Sequence, residues 1–212
     1  MDRKLFDSWA ENYDDFSKED LNSFPFAGYD RVLARIEKEV TGKKGDRILD
    51  IGVGTGLLAA RFYGKGYSIY GVDFSQRMLQ KAEEKMPGGK FFCGDINRGL
   101  PAEVKKEKFD FIVSSYVLHH LKDKEKVEFL SKLYRENLMG KGKIIIGDIG
   151  FTDRKEMERC REKEAKKWDH NEYYLIAEDI VPRLKRMGLK IDYEQISYCG
   201  FILKIFGPEE GC

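Results

Sequence analysis

The sequence predicts an α/β fold: a doubly wound, mostly parallel sheet with helices on both faces, closing on an antiparallel hairpin. Three observations predict it. Short apolar runs alternate with amphipathic helical stretches, the pattern of parallel strands joined by helical crossovers. The run Arg47-Ile48-Leu49-Asp50-Ile51-Gly52-Val53-Gly54-Thr55-Gly56 leads a short apolar segment into a glycine turn. The last two apolar runs are linked only by Ser-Tyr-Cys-Gly, too short for a parallel crossover, so they must pair antiparallel.

In chain order, Ile48, Leu49 and Ile51 make a first strand, too short for a helix. Gly52, Gly54 and Gly56 turn the chain, and Leu57, Leu58, Ala59, Ala60 and Phe62 continue it as a helix. Residues 67–73 read as a second strand ending in an acid. Ser75 is placed to cap the next helix, which carries Met78, Leu79, Ala82 and Met86 at helical spacing. Residues 90–95 and 109–114 form the third and fourth strands. Residues 124–138 form a helix with Val127, Leu130, Leu133 and Tyr134 on one face, and residues 143–148 a fifth strand. The stretch 153–167 is nearly all charged, with a thin apolar stripe of Met157, Cys160, Ala165 and Trp168, which predicts an exposed helix. Residues 189–196 and 201–206 are the hairpin. With no repeat, low-complexity tract or linker, residues 1–212 read as one domain.

Composition narrows the partners. Of 212 residues, 42% are hydrophobic, enough for a proper core. Lys plus Arg number 38 against 37 Asp plus Glu, a net charge of +1, so nothing indicates a nucleic-acid partner. The opening Met1-Asp2-Arg3-Lys4-Leu5-Phe6 lacks the apolar region of a secretory signal, and no apolar run approaches the ~20 residues of a membrane span. Cys93, Cys160, Cys199 and Cys212 show no C-x-x-C spacing and read as free thiols in a reducing, cytoplasmic setting.

A glycine turn between strand and helix suits a nucleotide-like ligand, because backbone approaches closely and helix N–H groups face it. The dinucleotide fingerprint G-x-G-x-x-G requires glycine at position 57, where Leu57 stands, which disfavours a nicotinamide cofactor. Instead the pattern is Asp-x-Gly-x-Gly-x-Gly from Asp50 to Gly56. It resembles the first motif of class I S-adenosylmethionine-dependent methyltransferases, in particular small bacterial-type, small-molecule enzymes of the ubiquinone/menaquinone-biosynthesis-like group. The resemblance implies a Rossmann-like, seven-stranded sheet. It also implies a turn wrapped around the methionine end of the cofactor: Asp50, Gly52, Gly54 and Gly56 would line that site, Asp50 holding the ammonium group. Ligands of such sheets sit beyond the carboxyl ends of the strands. There Asp73 can accept from both ribose hydroxyls, and Phe74 can pack on the adenine. Gly94-Asp95-Ile96 resembles the adenine-reading segment, Asp95 accepting from the amino group and Ile96 offering its N–H. Ser114 and Ser115 fall beside the expected sulfonium.

Candidates for the chemistry flank this core. Phe6-Asp7-Ser8-Trp9-Ala10-Glu11-Asn12-Tyr13-Asp14 resembles the opening of many small-molecule methyltransferases, a helical lid here assigned to residues 1–26. Phe6, Trp9, Ala10 and Tyr13 share one helical face, and lid closure would bring Tyr13 to the site. Two of the three histidines follow the fourth strand, His119 and His120. Histidine is the side chain best suited to proton transfer near neutrality. His120 is the first candidate for a base or substrate orienter; by resemblance to phosphoethanolamine methyltransferases it would pair with Tyr13. Some methyltransferases bind a divalent metal through a Glu-x-x-Glu-His loop. Here Tyr116, His119 and His120 occupy those positions and both carboxylates are missing, so no metal is expected. No Asn/Asp-Pro-Pro-Tyr/Phe follows the fourth strand and no Pro-Cys pair occurs, which disfavours methylation of adenine or glutamine amino groups and of cytosine C5.

The expectation is therefore methyl transfer from S-adenosylmethionine, leaving S-adenosylhomocysteine, to a small-molecule acceptor. Residues 151–175 would form an insert covering the acceptor, with Trp168, His170, Tyr173 and Tyr174 as an aromatic wall. A non-catalytic cofactor-binding protein and an RNA or protein methyltransferase are the rival readings. Nothing in the sequence sets an oligomeric state.

Overall fold

The computed structural model describes residues 22–207. Strands β1 (Arg47–Ile51), β2 (Ser68–Asp73), β3 (Lys90–Cys93), β4 (Phe109–Ser115) and β5 (Leu138–Phe151) run parallel in the order 3-2-1-4-5. A two-residue strand β6 (Leu175–Ile176) pairs parallel with the end of β5. β7 (Lys190–Gln195) forms the outer edge, and β8 (Gly200–Phe206) lies antiparallel between β5 and β7. Seven strands thus form the continuous path, with the antiparallel hairpin where the short link demands it.

Alternation of side chains along each strand splits the core into two layers. Ile48, Ile69, Val113, Ile145 and Ile202 point to one face. That face is covered by α1 (Tyr29–Glu39), α2 (Ala59–Tyr63) and α3 (Gln76–Lys85). Leu49, Val72, Ile112, Ile146 and Leu203 point to the other, under α4 (Ala102–Lys105), α5 (Asp123–Glu136) and α7 (Ala177–Arg186). Leu130 and Leu133 of α5 are essentially fully buried there, each contributing ~1.5–3 kcal/mol. On the first face α1 seats Tyr29, Val32, Leu33 and Ile36. It approaches so closely that a Cβ at Gly147 would fall 2.4 Å from Val32.

Some boundaries differ from the sequence reading. The helix after the glycine turn begins at Ala59, because residues 56–58 are still spent closing the turn. β5 begins at Leu138 and ends at Phe151, wider than 143–148: its first residues rejoin β4 across a register shift between Phe109 and Phe111. The charged helix, α6 (Arg154–Lys163), is capped by Asp153, whose side chain accepts from Glu156 N at 2.9 Å. Ser75 caps α3 as expected, accepting from Met78 N at 3.2 Å. α1 was not anticipated. Among the described residues, no helix is long and apolar enough to cross a membrane.

Candidate functional site

The strand order reverses direction between β1 and β4, which opens a crevice at the carboxyl ends of the parallel strands. A concave cavity lies there, where ligands of such sheets bind. Gly52 and Gly54 form its floor; Asp73, Phe74 and Met78 one wall; Gly94, Asp95 and Ile96 the far end; and Ser115, Tyr116, Val117 and His120 the opposite wall.

The floor depends on glycine. Gly52 has φ +73°, and a Cβ there would sit 2.1 Å from Val117 Cγ2. Gly54, φ +54°, has open space where a Cβ would project. Asp73 is the keystone of this corner: one carboxylate oxygen accepts from Gly54 N and the other from Ser75 N, both at 2.9 Å. These bonds hold the carboxylate at the cavity wall. Asp95 starts the 3-10 turn Ile96–Arg98, its Oδ1 accepting from Asn97 N at 3.0 Å.

Asp50 lies behind the turn rather than on the cavity surface. It is 1% exposed, and its Oδ1 has no hydrogen-bond partner among the described residues. Burial, and secondarily repulsion from Asp73, push its carboxyl up to about 8. Gly56 also lies outside the lining, against Met86 and Ala82 of the α3 layer. Ser114 is fully buried and donates to Ile51 O at 2.7 Å, tying β4 to β1. Ser115, one residue on, reaches the cavity instead.

Beyond β4 the chain turns sharply at Tyr116, which has φ +57°, a left-handed conformation that costs a side-chain-bearing residue on the order of 1 kcal/mol. Contacts with Tyr29 and Phe26, ring centroids 4.9 and 6.0 Å away, pack its ring in place. The turn lays Val117 over Gly52 and leads into the 3-10 turn Leu118–His120.

The two histidines of that turn have different surroundings. His120 faces the cavity; burial, and then the neighbouring His119, bring its imidazole down to about 4, so it is neutral at physiological pH. His119, its ring centroid 4.2 Å from that of His120, reaches into a buried cluster. Its Nδ1 lies 2.6 Å from Asp148 Oδ1, and its backbone N donates to Asp148 Oδ2 at 3.1 Å. Its Nε2 is 3.5 Å from Glu172. Burial works against charge on His119, but the two carboxylates outweigh it and raise its pKa. Burial likewise raises Glu172, whereas at Asp148 the His119 contact overcomes burial and lowers the pKa. Lys126 of α5, its side chain fully buried, anchors this region: Nζ donates to Tyr173 O and lies 3.3 Å from Asp123.

Asp148, Glu172 and Lys126 escaped the sequence reading. Asp148 shared the signal that singled out Asp50, Asp73 and Asp95, an acid closing an apolar run. The segment before β6 also differs from an aromatic wall. Trp168 stacks on Phe24 at 5.4 Å and meets Tyr174 edge-on at 4.7 Å, so both close the core. Tyr173 and His170 are exposed. Phe6, Trp9, Ala10 and Tyr13 lie outside the described residues.

This architecture has close parallels. A family model described as a methyltransferase domain matches residues 48–136. An uncharacterised methyltransferase of Geobacillus kaustophilus is 33% identical over 205 residues, covering 90% of each chain. The solved complex of DhpI with SAH superposes with TM-score 0.70 at 15% identity, over 98% of this chain and 96% of that one. An S-adenosylmethionine-dependent methyltransferase from Clostridium acetobutylicum does so with TM-score 0.69 at 17% identity, over 93% and 99%. The solved structures share the fold, and the Geobacillus relative shares sequence along nearly its whole length. By that identity and coverage, the chain belongs to the methyltransferase family.

Proposed function

We propose that this protein transfers a methyl group from S-adenosylmethionine to a small-molecule acceptor, and that the cavity between Gly52 and His120 is where the two meet. The observation that carries this reading is the convergence of the glycine floor, Asp73, Asp95 and His120 on one cavity. The residues present fit such a cofactor. A buried carboxylate oxygen without a partner, Asp50 Oδ1, calls for a cationic donor such as an amino-acid ammonium. Asp73, fixed by two backbone N–H groups, suits paired hydroxyls, and Phe74 and Ile96 offer apolar surface to a flat base.

S-adenosylmethionine supplies a methyl group already activated by a cationic sulfur. The protein's task is orientation, a contribution of up to ~7–11 kcal/mol, together with exclusion of water. Tyr116 and Val117 wall the acceptor side, and neutral His120 can accept a hydrogen bond from an acceptor O–H, N–H or S–H and aim its lone pair. The small cavity and near-zero net charge favour a small acceptor over a polyanion.

Methyl-labelled S-adenosylmethionine, incubated with the protein and separate pools of metabolites, RNA and protein, tests this reading. Label is expected in the metabolite pool. Label confined to RNA or protein overturns the acceptor class, and cofactor binding by calorimetry with no label transferred to any pool overturns catalysis.

A further inference from the structure

We infer that His119, His120 and Glu172 form a binding site for one divalent transition-metal ion of zinc-like preference, on the acceptor side of the cavity. The expectation of no metal rested on residues of the 116–120 loop alone. The fold brings a carboxylate from a different segment.

Geometry comes first. Each of the three residues offers a ligand atom, and these atoms lie within 4.8 Å of one another. Zinc bonds to nitrogen and oxygen of ~2.0–2.1 Å in a tetrahedron place neighbouring donors about 3.3–3.4 Å apart. His119 Nε2 and Glu172 Oε1 are 3.5 Å apart, so one edge of that tetrahedron is already in place.

Support behind the donors comes second. Asp148, fully buried, holds His119 Nδ1 at 2.6 Å. Ile149 N and His119 N both donate to the same carboxylate, at 2.8 and 3.1 Å. An acceptor so fixed keeps the proton on Nδ1 and turns the Nε2 lone pair towards Glu172. A carboxylate behind a histidine in this way is the usual backing of a metal-bound imidazole. The segment carrying Glu172 is held as well: Tyr173 N donates to His119 O at 2.7 Å, and Lys126 Nζ donates to Tyr173 O. Donors on two separate segments are thereby locked to each other by one backbone bond and one buried lysine.

Charge comes third. Asp148, fully buried, and Glu172, part-buried, flank His119, the nearby Lys126 is shared with Asp123, and an ion on His119 Nε2 would take the place of a second proton on that ring. A dication would balance the two carboxylates. Two imidazoles and one carboxylate suit zinc, iron(II) or nickel better than the all-oxygen preference of magnesium or calcium. Because His120 also lines the cavity, the fourth coordination position would open towards the acceptor, and the ion would then take over from the His120 lone pair the task of orienting it, a refinement that rests on the methyl-transfer reading. A hydroxyl or thiol bound there would lose its proton to water more readily, which points to oxygen or sulfur acceptors.

The test uses the full chain, stripped with a chelator and dialysed. It is titrated with Co2+, read by visible absorption, and with Zn2+, read by calorimetry. One ion per chain is expected. Glu172→Gln should weaken binding by at least about tenfold, and Asp148→Asn by ~10–100-fold. Glu172→Asp, which keeps the charge on a shorter arm, guards against a folding failure of the first variant and should also weaken binding. S-adenosylmethionine affinity is measured in parallel and should stay unchanged in all three. Saturable metal binding without cofactor binding would spare the site and sink the methyl-transfer reading. No saturable binding, or unaltered binding in Glu172→Gln with cofactor affinity intact, overturns the site.

Discussion

Cofactor binding should expel a proton from Asp50. With its carboxyl near 8, Asp50 is protonated about ten to one at pH 7. A cationic ammonium that reaches its partnerless Oδ1, for which the glycine turn covering Asp50 must give way, would return the group towards the ordinary carboxylate range. About 0.9 proton should then leave Asp50 per cofactor bound at pH 7, of which the cofactor's own amine, at ~7.7–8.0, takes up about 0.1–0.2, for a net release of about 0.7–0.8. The assay is calorimetry at pH 7 in two buffers of different ionisation enthalpy; the difference in heat reads the protons directly. By linkage, affinity should rise about tenfold between pH 6 and pH 7, flatten towards pH 8, and fall above it as the cofactor's amine loses its proton. Asp50→Asn, isosteric and uncharged, should abolish both effects. Without cofactor the sign reverses. A carboxyl raised on folding favours the folded state below the ordinary carboxylate pKa, and that contribution is lost as pH climbs towards about 8, by about 1.4 kcal/mol per unit. Buffer-independent heats at pH 7, or affinity flat from pH 6 to 8, would refute the reasoning.

Three further outcomes are expected. Asp73→Ala should weaken cofactor binding at least about tenfold, ~1.4 kcal/mol, since both the ribose acceptor and the tether of Gly54 go; unchanged calorimetric affinity would remove the ribose assignment. Gly52→Ala, with its Cβ driven into Val117 at positive φ, should lower Tm and cofactor affinity together, and adding Val117→Ala should restore part of both. If the double variant binds no better, the clash is not the cause. Lys126→Met should cost ~1–3 kcal/mol in urea unfolding, because the Tyr173 carbonyl loses its buried donor; a neutral result would mean that the carbonyl finds water.

What the sequence revealed, and what it hid, divides along local and non-local lines. Strand ends at Asp73 and Asp95 were legible because apolar runs stop there and an acid follows. The hairpin was legible because its link is too short for any other path. α1 was overlooked although Tyr29, Val32, Leu33 and Ile36 stand at helical spacing, so the signal was present. The choice between Ser114 and Ser115 turned on one residue of strand length: with period two, one extra residue swaps the buried hydroxyl for the facing one. Glu172 was beyond reach in principle. Nothing near it in sequence connects it to His119; only the strand order, the β5–β6 pairing and the Lys126 anchor bring them together.

The place of β8 in the sheet also imposes a timetable. β5, whose Ile144, Ile145 and Ile146 are wholly buried, pairs on one side with a strand that comes after every helix. Roughly fifty residues separate Phe151 from Gly200, so at ~5–20 residues per second of synthesis that edge waits about 2.5–10 s for its partner. During that interval the nascent chain presents an apolar, hydrogen-bond-hungry strand edge, the kind that recruits other chains. Ribosome-bound chains stalled before Gly200 should therefore lean on chaperones, and those stalled after residues 200–206 have emerged should not.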